Sequence, residues 1–153
     1  MIMTEINLED SEKSIHYKVN QSEEIQLYPR ELNDLNWEKK IDFEIVASDI
    51  KSKIVYRCVA RKNTNLDMTF RLYTSNKKVD NLEINLEIHI LNLSEENNIN
   101  VRPFLEIPKE NISFEHKVTI GAPSKDWLKY LNSRGLNNQI STELIVNSFL
   151  NNC

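Results

Sequence analysis

Glycine is nearly absent: the 153 residues contain two, Gly121 and Gly135, both in the stretch from Arg102 to Leu150. Glycine serves where φ turns positive or where two backbones approach closely. Its scarcity excludes a glycine-rich loop that cradles phosphate, and the two that remain are expected at a strand-to-helix corner and just past a helix. Cysteine is equally scarce. Cys58 and Cys153 make no disulfide framework, and no Cys–Cys or His–Cys spacing resembles a closed metal site. No apolar run approaches the roughly 20 residues that span a bilayer as a helix, so no membrane partner is expected. Met1-Ile2-Met3-Thr4-Glu5 lacks a basic region followed by an apolar stretch, so no signal peptide is expected, and the expected compartment is the reducing cytoplasm. Lys and Arg number 19 against 23 Asp and Glu, for a net charge of -4, with no basic stripe. A nucleic-acid partner is therefore not expected.

What the chain does have is alternation. Ile41, Phe43, Ile45 and Ala47 share one side of a run, with charged or polar residues mostly between them. Ile54, Tyr56, Cys58 and Ala60 repeat the pattern with Arg57 and Arg61 opposite, and Leu66, Met68, Phe70 and Leu72 form a third run. The longest is Leu82, Ile84, Leu86, Ile88 and Ile90, and the last is Ile112, Phe114, His116, Val118 and Ile120. A period of two marks strands with one apolar face. Five or more such strands predict a mainly β body over 41–121, as a sheet stack, sandwich or solenoid. Residues 1–40 are less regular: Ser14–Val19 and Glu24–Tyr28 are expected as short strands, and Glu31–Lys40 as a helical turn or a loop. Cys58, on the apolar side of its strand, is expected to be a buried, inert thiol.

After Gly121 the period changes to about 3.6. Ser124 is the expected N-cap, Asp126 sits in the first turn, Trp127, Leu128 and Leu131 form an apolar stripe, and Gly135 falls where a left-handed residue closes a helix. Asn137 can cap a second helix, in which Ile140, Leu144 and Ser148 align, as do Ile145 and Phe149. One domain, 1–153, is expected, with 122–153 as its helical tail.

Several pieces of this tail occur in a telling order: Pro103 then Leu105-Glu106-Ile107; Glu115-His116 with Thr119 and Gly121; Trp127 to Tyr130 then Ser133-Arg134-Gly135-Leu136; Leu144-Ile145-Val146 with Phe149. Together they resemble the C-terminal end of the SufB/SufD family, scaffold proteins of the SUF iron–sulfur cluster assembly system. Phe70, the polar turn to Asp80, and Leu91-Asn92-Leu93-Ser94 fit the preceding strands more loosely. The resemblance covers only the C-terminal part of a family whose members are usually several times longer.

The resemblance implies a short right-handed parallel β-helix capped by two helices. It implies a non-catalytic subunit whose end helices dock a SufC-type ABC ATPase and whose last strands pair with a SufB- or SufD-like subunit. Trp127, Tyr130, Leu131, Arg134, Gly135, Leu144 and Phe149 would carry the docking, against a bland reading in which they only pack the helices together. His116 matches the family's interface histidine. It would face iron or a transient cluster, with no stably bound cofactor, against the alternative of a structural histidine on an apolar face. Glu115 matches the acid before that histidine, but neighbours on a strand point to opposite sides, so a solvated or interface carboxylate is the expected role. Asn97 stands where a SufB-like sulfur-accepting cysteine would fall, Lys117 where a second acid would, and Phe114 where many SufD-like members have cysteine. On these residues the chain resembles SufD more than SufB. A rival reading keeps the solenoid as an interaction module with no part in cluster assembly. An enzyme is not expected: the chain has no nucleophile motif and no paired carboxylates on one face.

Overall fold

The computed structural model describes residues 1–9, 12–76, 78–107 and 111–151. Among these residues ten strands precede two helices: β1 (Ile2–Asn7), β2 (Ser14–Val19), β3 (Glu23–Tyr28), β4 (Glu31–Leu32), β5 (Asn36–Ile45), β6 (Ile50–Ala60), β7 (Asn65–Tyr73), β8 (Leu82–Asn92), β9 (Asn98–Glu106), β10 (Ile112–Gly121), α1 (Lys125–Ser133) and α2 (Asn138–Asn151). Every pairing is parallel. One sheet runs β1-β3-β6-β8-β10 with β4 beside β6, and the other runs β2-β5-β7-β9. From β5 onward successive strands alternate between the sheets, so the chain winds as a parallel β-solenoid.

The alternating runs explain this winding. Like residues stack in columns from coil to coil: Ile25 on Ile54 on Leu86 on His116 in one sheet, and Ile41 on Phe70 on Pro103 in the other. Between the sheets Ile25, Ile41, Phe43, Ile54, Tyr56, Phe70 and Leu86 are fully buried. Cys58 lies among them, also fully buried, as expected. Burial pushes its thiol up to about 12, so at neutral pH it is neither a nucleophile nor a ready ligand.

One expectation is corrected. Residues 31–40 are mostly strand, with a corner at 33–35: Glu31 pairs with Val59, and Asn36 to Lys40 pair with Asn65 to Thr69. The alternation there is disguised because Lys39 falls on the inward side between Trp37 and Ile41. Its ammonium lies 4.9 Å from the Trp37 ring centroid, so the apolar stem follows the strand while the charge reaches an aromatic face. Gly121 stands at the strand-to-helix corner, as expected, but without the positive φ that Gly135 has. It ends β10, and a Cβ there would meet nothing within 4 Å. The left-handed positions of the solenoid belong to Asp34, Asp49, Asn63, Asn81 and Asn111, whose short polar side chains tolerate this conformation. They stack on one another: Asn63 Nδ2 donates to Asp34 Oδ1 at 2.7 Å and Asn81 Nδ2 to Asp49 Oδ1 at 2.6 Å. A glycine-poor chain makes its corners this way.

The helices start and stop as their sequences dictate. Ser124 Oγ accepts from the Trp127 amide at 3.4 Å, and Asn137 Oδ1 accepts from the Ile140 amide at 2.9 Å. Gly135, at φ 91°, closes α1. The Ile140–Leu144–Ser148 stripe expected for α2 is not its buried side. Ser141 and Val146 are buried, while Ile140 and Leu144 are about half exposed. The helix is apolar on two sides, one towards the sheet and one towards α1, so no single stripe stands out.

Candidate functional site

Two surfaces collect the residues singled out from the sequence. The first is the open end of the solenoid. Among the described residues β10 pairs only with β8 and β9 only with β7, so both sheets end there in a free edge. Phe104, Leu105 and Ile120 are exposed at 49, 42 and 45%. His116 is on the inward side of β10 with Phe114; their rings stack with centroids 5.7 Å apart. It is nonetheless exposed, because no further coil covers it. Glu115 projects to the other face, so the two do not act on one atom. Among the described residues no group of three or more His, Cys, Asp or Glu side chains converges as a metal site. Cys153 lies outside the described residues.

Asn97 has a different task from a sulfur acceptor. Its Nδ2 donates to the Ala60 carbonyl at 3.2 Å, to Asn92 Oδ1 at 2.8 Å and to the Arg61 carbonyl, while Oδ1 accepts from the Thr64 amide at 2.9 Å. The carboxamide satisfies the Thr64 amide and the Arg61 carbonyl of a solenoid corner, and adds to the bond that the Ala60 carbonyl already accepts from the Leu93 amide at 2.9 Å.

The second surface is the helix pair. Trp127, Leu131, Leu144, Ile145, Ser148 and Phe149 line a groove of about 400 Å³ between α1 and α2. Trp127 is 62% exposed and meets Tyr130 edge to face at 5.9 Å. The Arg134 guanidinium covers the other part of the Tyr130 ring at 5.3 Å. Of the residues expected here, the structure brings Trp127, Leu131, Leu144 and Phe149 into the groove. Tyr130 and Arg134 form an exposed cluster beside it, and Gly135 shapes the turn.

Sequence reasoning missed how this pair is held. Val146 is buried against Val59 and Leu91 on the outer face of the sheet. Beside that patch is a bidentate fork: Arg61 donates to the two Glu143 carboxylate oxygens at 2.7 and 3.1 Å. That hydrogen-bonded contact holds the Glu143 carboxyl below its ordinary value and the Arg61 guanidinium above its own. Arg30 and Arg57 donate to the carbonyls of Leu150 and Phe149, at 3.0 and 3.3 Å. A sequence signal existed: Val59 and Leu91 are apolar residues on the outward, mostly polar or charged side of their strands, and a covered patch is their physical reason.

Comparison with known proteins places the fold. A family model described as the SufBD core domain of SUF-system FeS cluster assembly matches residues 36–149. The chain belongs to the SufB/SufD family. The match takes in β5 to β10, α1 and all but the last two residues of α2, so both surfaces lie within it. An iron–sulfur cluster assembly protein SufB of Bacillus subtilis is 28% identical over 106 residues, covering 69% of this chain and 22% of that protein. A SufBD family protein of Staphylococcus saprophyticus is 34% identical over 74 residues, 48% of this chain and 16% of the relative, and one from Staphylococcus aureus is 32% identical over the same length. The chain thus spans about a fifth or less of the SufB/SufD relatives it matches. Their names are SufB or SufBD, so a SufD-like leaning rests on Asn97, Phe114, Lys117 and Gly121. Among the described residues no helix is long and apolar enough to cross a membrane.

Proposed function

We propose that this chain is a non-catalytic scaffold subunit of iron–sulfur cluster assembly that docks a SufC-type ABC ATPase in the α1–α2 groove. The observation that carries the reading is the groove itself, apolar yet open, with Trp127 and Leu144 exposed at 62 and 46% beside an aromatic–arginine cluster. Tryptophan, tyrosine and arginine are the usual anchors of protein interfaces, and an exposed apolar patch of this kind asks for a partner.

The open end of the solenoid is the pairing surface for a SufB- or SufD-like subunit. Free parallel edges carry unpaired backbone donors and acceptors that another strand can satisfy. His116 then lies at the junction, where iron or a nascent cluster is cargo rather than a resident cofactor. One imidazole does not hold a cluster, so further donors come from the second subunit.

Mixing the purified chain with a SufC-type ATPase and separating the mixture by size exclusion with light scattering is expected to give a stable complex with one ATPase per chain. Elution of the two proteins as separate monomers at tens of micromolar each would remove this reading.

A further inference from the structure

We infer that Arg57 and Arg61 are positioning residues that fix the groove from behind, so that partner affinity depends on two arginines that do not line it. This rests on the docking reading above.

The apolar seat of α2 is small: Val146 is the helix residue fully buried in it, with Ile145, Phe149 and Leu150 packed partly buried around it. Apolar contacts have no preferred direction, so this seat alone opposes a roll of the helix about its axis only weakly. A bidentate arginine–carboxylate fork has a fixed plane and removes that freedom. Arg61 makes this fork with Glu143, the residue before Leu144 of the groove wall. At the far end, α2 has no basic residue in its last turn. The unpaired carbonyls and negative end of the helix are met instead by cations from the sheet. Arg57 donates to the Phe149 carbonyl at 3.3 Å and lies 5.3 Å from the centroid of the Phe149 ring, whose side chain lines the groove. Each arginine therefore grips α2 within one residue of a groove position, and neither is itself in the wall. Because α1 has no buried residue and packs on α2, the seat of α2 also sets where Trp127 stands.

Charge reversal at Glu143 tests this. In the free chain, E143R is expected to speed amide hydrogen exchange across 138–151, with R61E/E143R returning it towards wild-type rates. Wild-type exchange in E143R would overturn the inference. With the ATPase, E143R is expected to bind about tenfold more weakly and the swapped pair to recover to within about threefold. Glu31, 3.4 Å from Arg61 Nε, stays unpaired in the swap and limits the rescue. Unchanged affinity in E143R, or a swap no better than the single variant, contradicts the positioning role. If the wild-type chain binds no ATPase the docking reading falls, while the exchange measurement still decides the clamp.

Discussion

Trp127→Ala is expected to weaken binding to a SufC-type ATPase by about 30-fold or more, equivalent to about 2 kcal/mol, with the fold intact. The separation of the two effects follows from exposure. The indole is 62% exposed and stands on a helix with no buried residue, so its removal costs little folding energy. In a complex the same indole would be desolvated against a partner, where large aromatic side chains dominate affinity. Titration calorimetry with the wild-type and variant chains gives the ratio, and thermal unfolding of each confirms the intact fold. Leu144→Asp, on the opposite wall of the groove, should act in the same direction. A Trp127→Ala chain that binds as tightly as wild type would mean that the groove is not the contact.

Phe70→Ala is expected to destabilise the chain by about 3–5 kcal/mol. Phe70 is fully buried, stacked between Ile41 and Pro103 in its column and 6.3 Å from the Tyr56 ring across the core. A solenoid core of this kind cannot collapse around the void, because each strand is fixed by hydrogen bonds to the coils above and below. A domain of this size has on the order of 5–15 kcal/mol to lose, so the variant should unfold at much lower denaturant, seen as a lower urea midpoint with an unchanged slope. Thr69→Ala, next door on the outward face, should stay within about 0.5 kcal/mol. A small loss for Phe70→Ala would contradict the column packing.

Much of the body was legible because its physics is local. Inward residues recur every second position, and the five runs ending at Ile120 became five of the strands. The helix pair was legible for the same reason: Ser124, Asn137 and Gly135 are caps whose chemistry acts within a few residues. Three things were hidden because they depend on distant partners. The first half of β5, residues 36–40, was masked by Lys39, whose inward placement makes sense only beside Trp37. The stacking of the corners was hidden because Asn and Asp pair side chain to side chain between coils 29 and 32 residues apart. The clamp joins residues 82 positions apart and leaves no periodic trace. At the candidate site, the groove residues Trp127, Leu131, Leu144 and Phe149 were named from the tail's ordered motifs. Their division from Tyr130 and Arg134 needed the angle between the helices.

The most direct test maps where the ATPase sits. Hydrogen exchange of the chain alone and in complex with a SufC-type ATPase is expected to show new protection concentrated in 125–151, strongest around Trp127 and Leu144, with the strands β1 to β7 unchanged. Protection falling on the sheet faces instead, with α1 and α2 exchanging as in the free chain, would contradict the account.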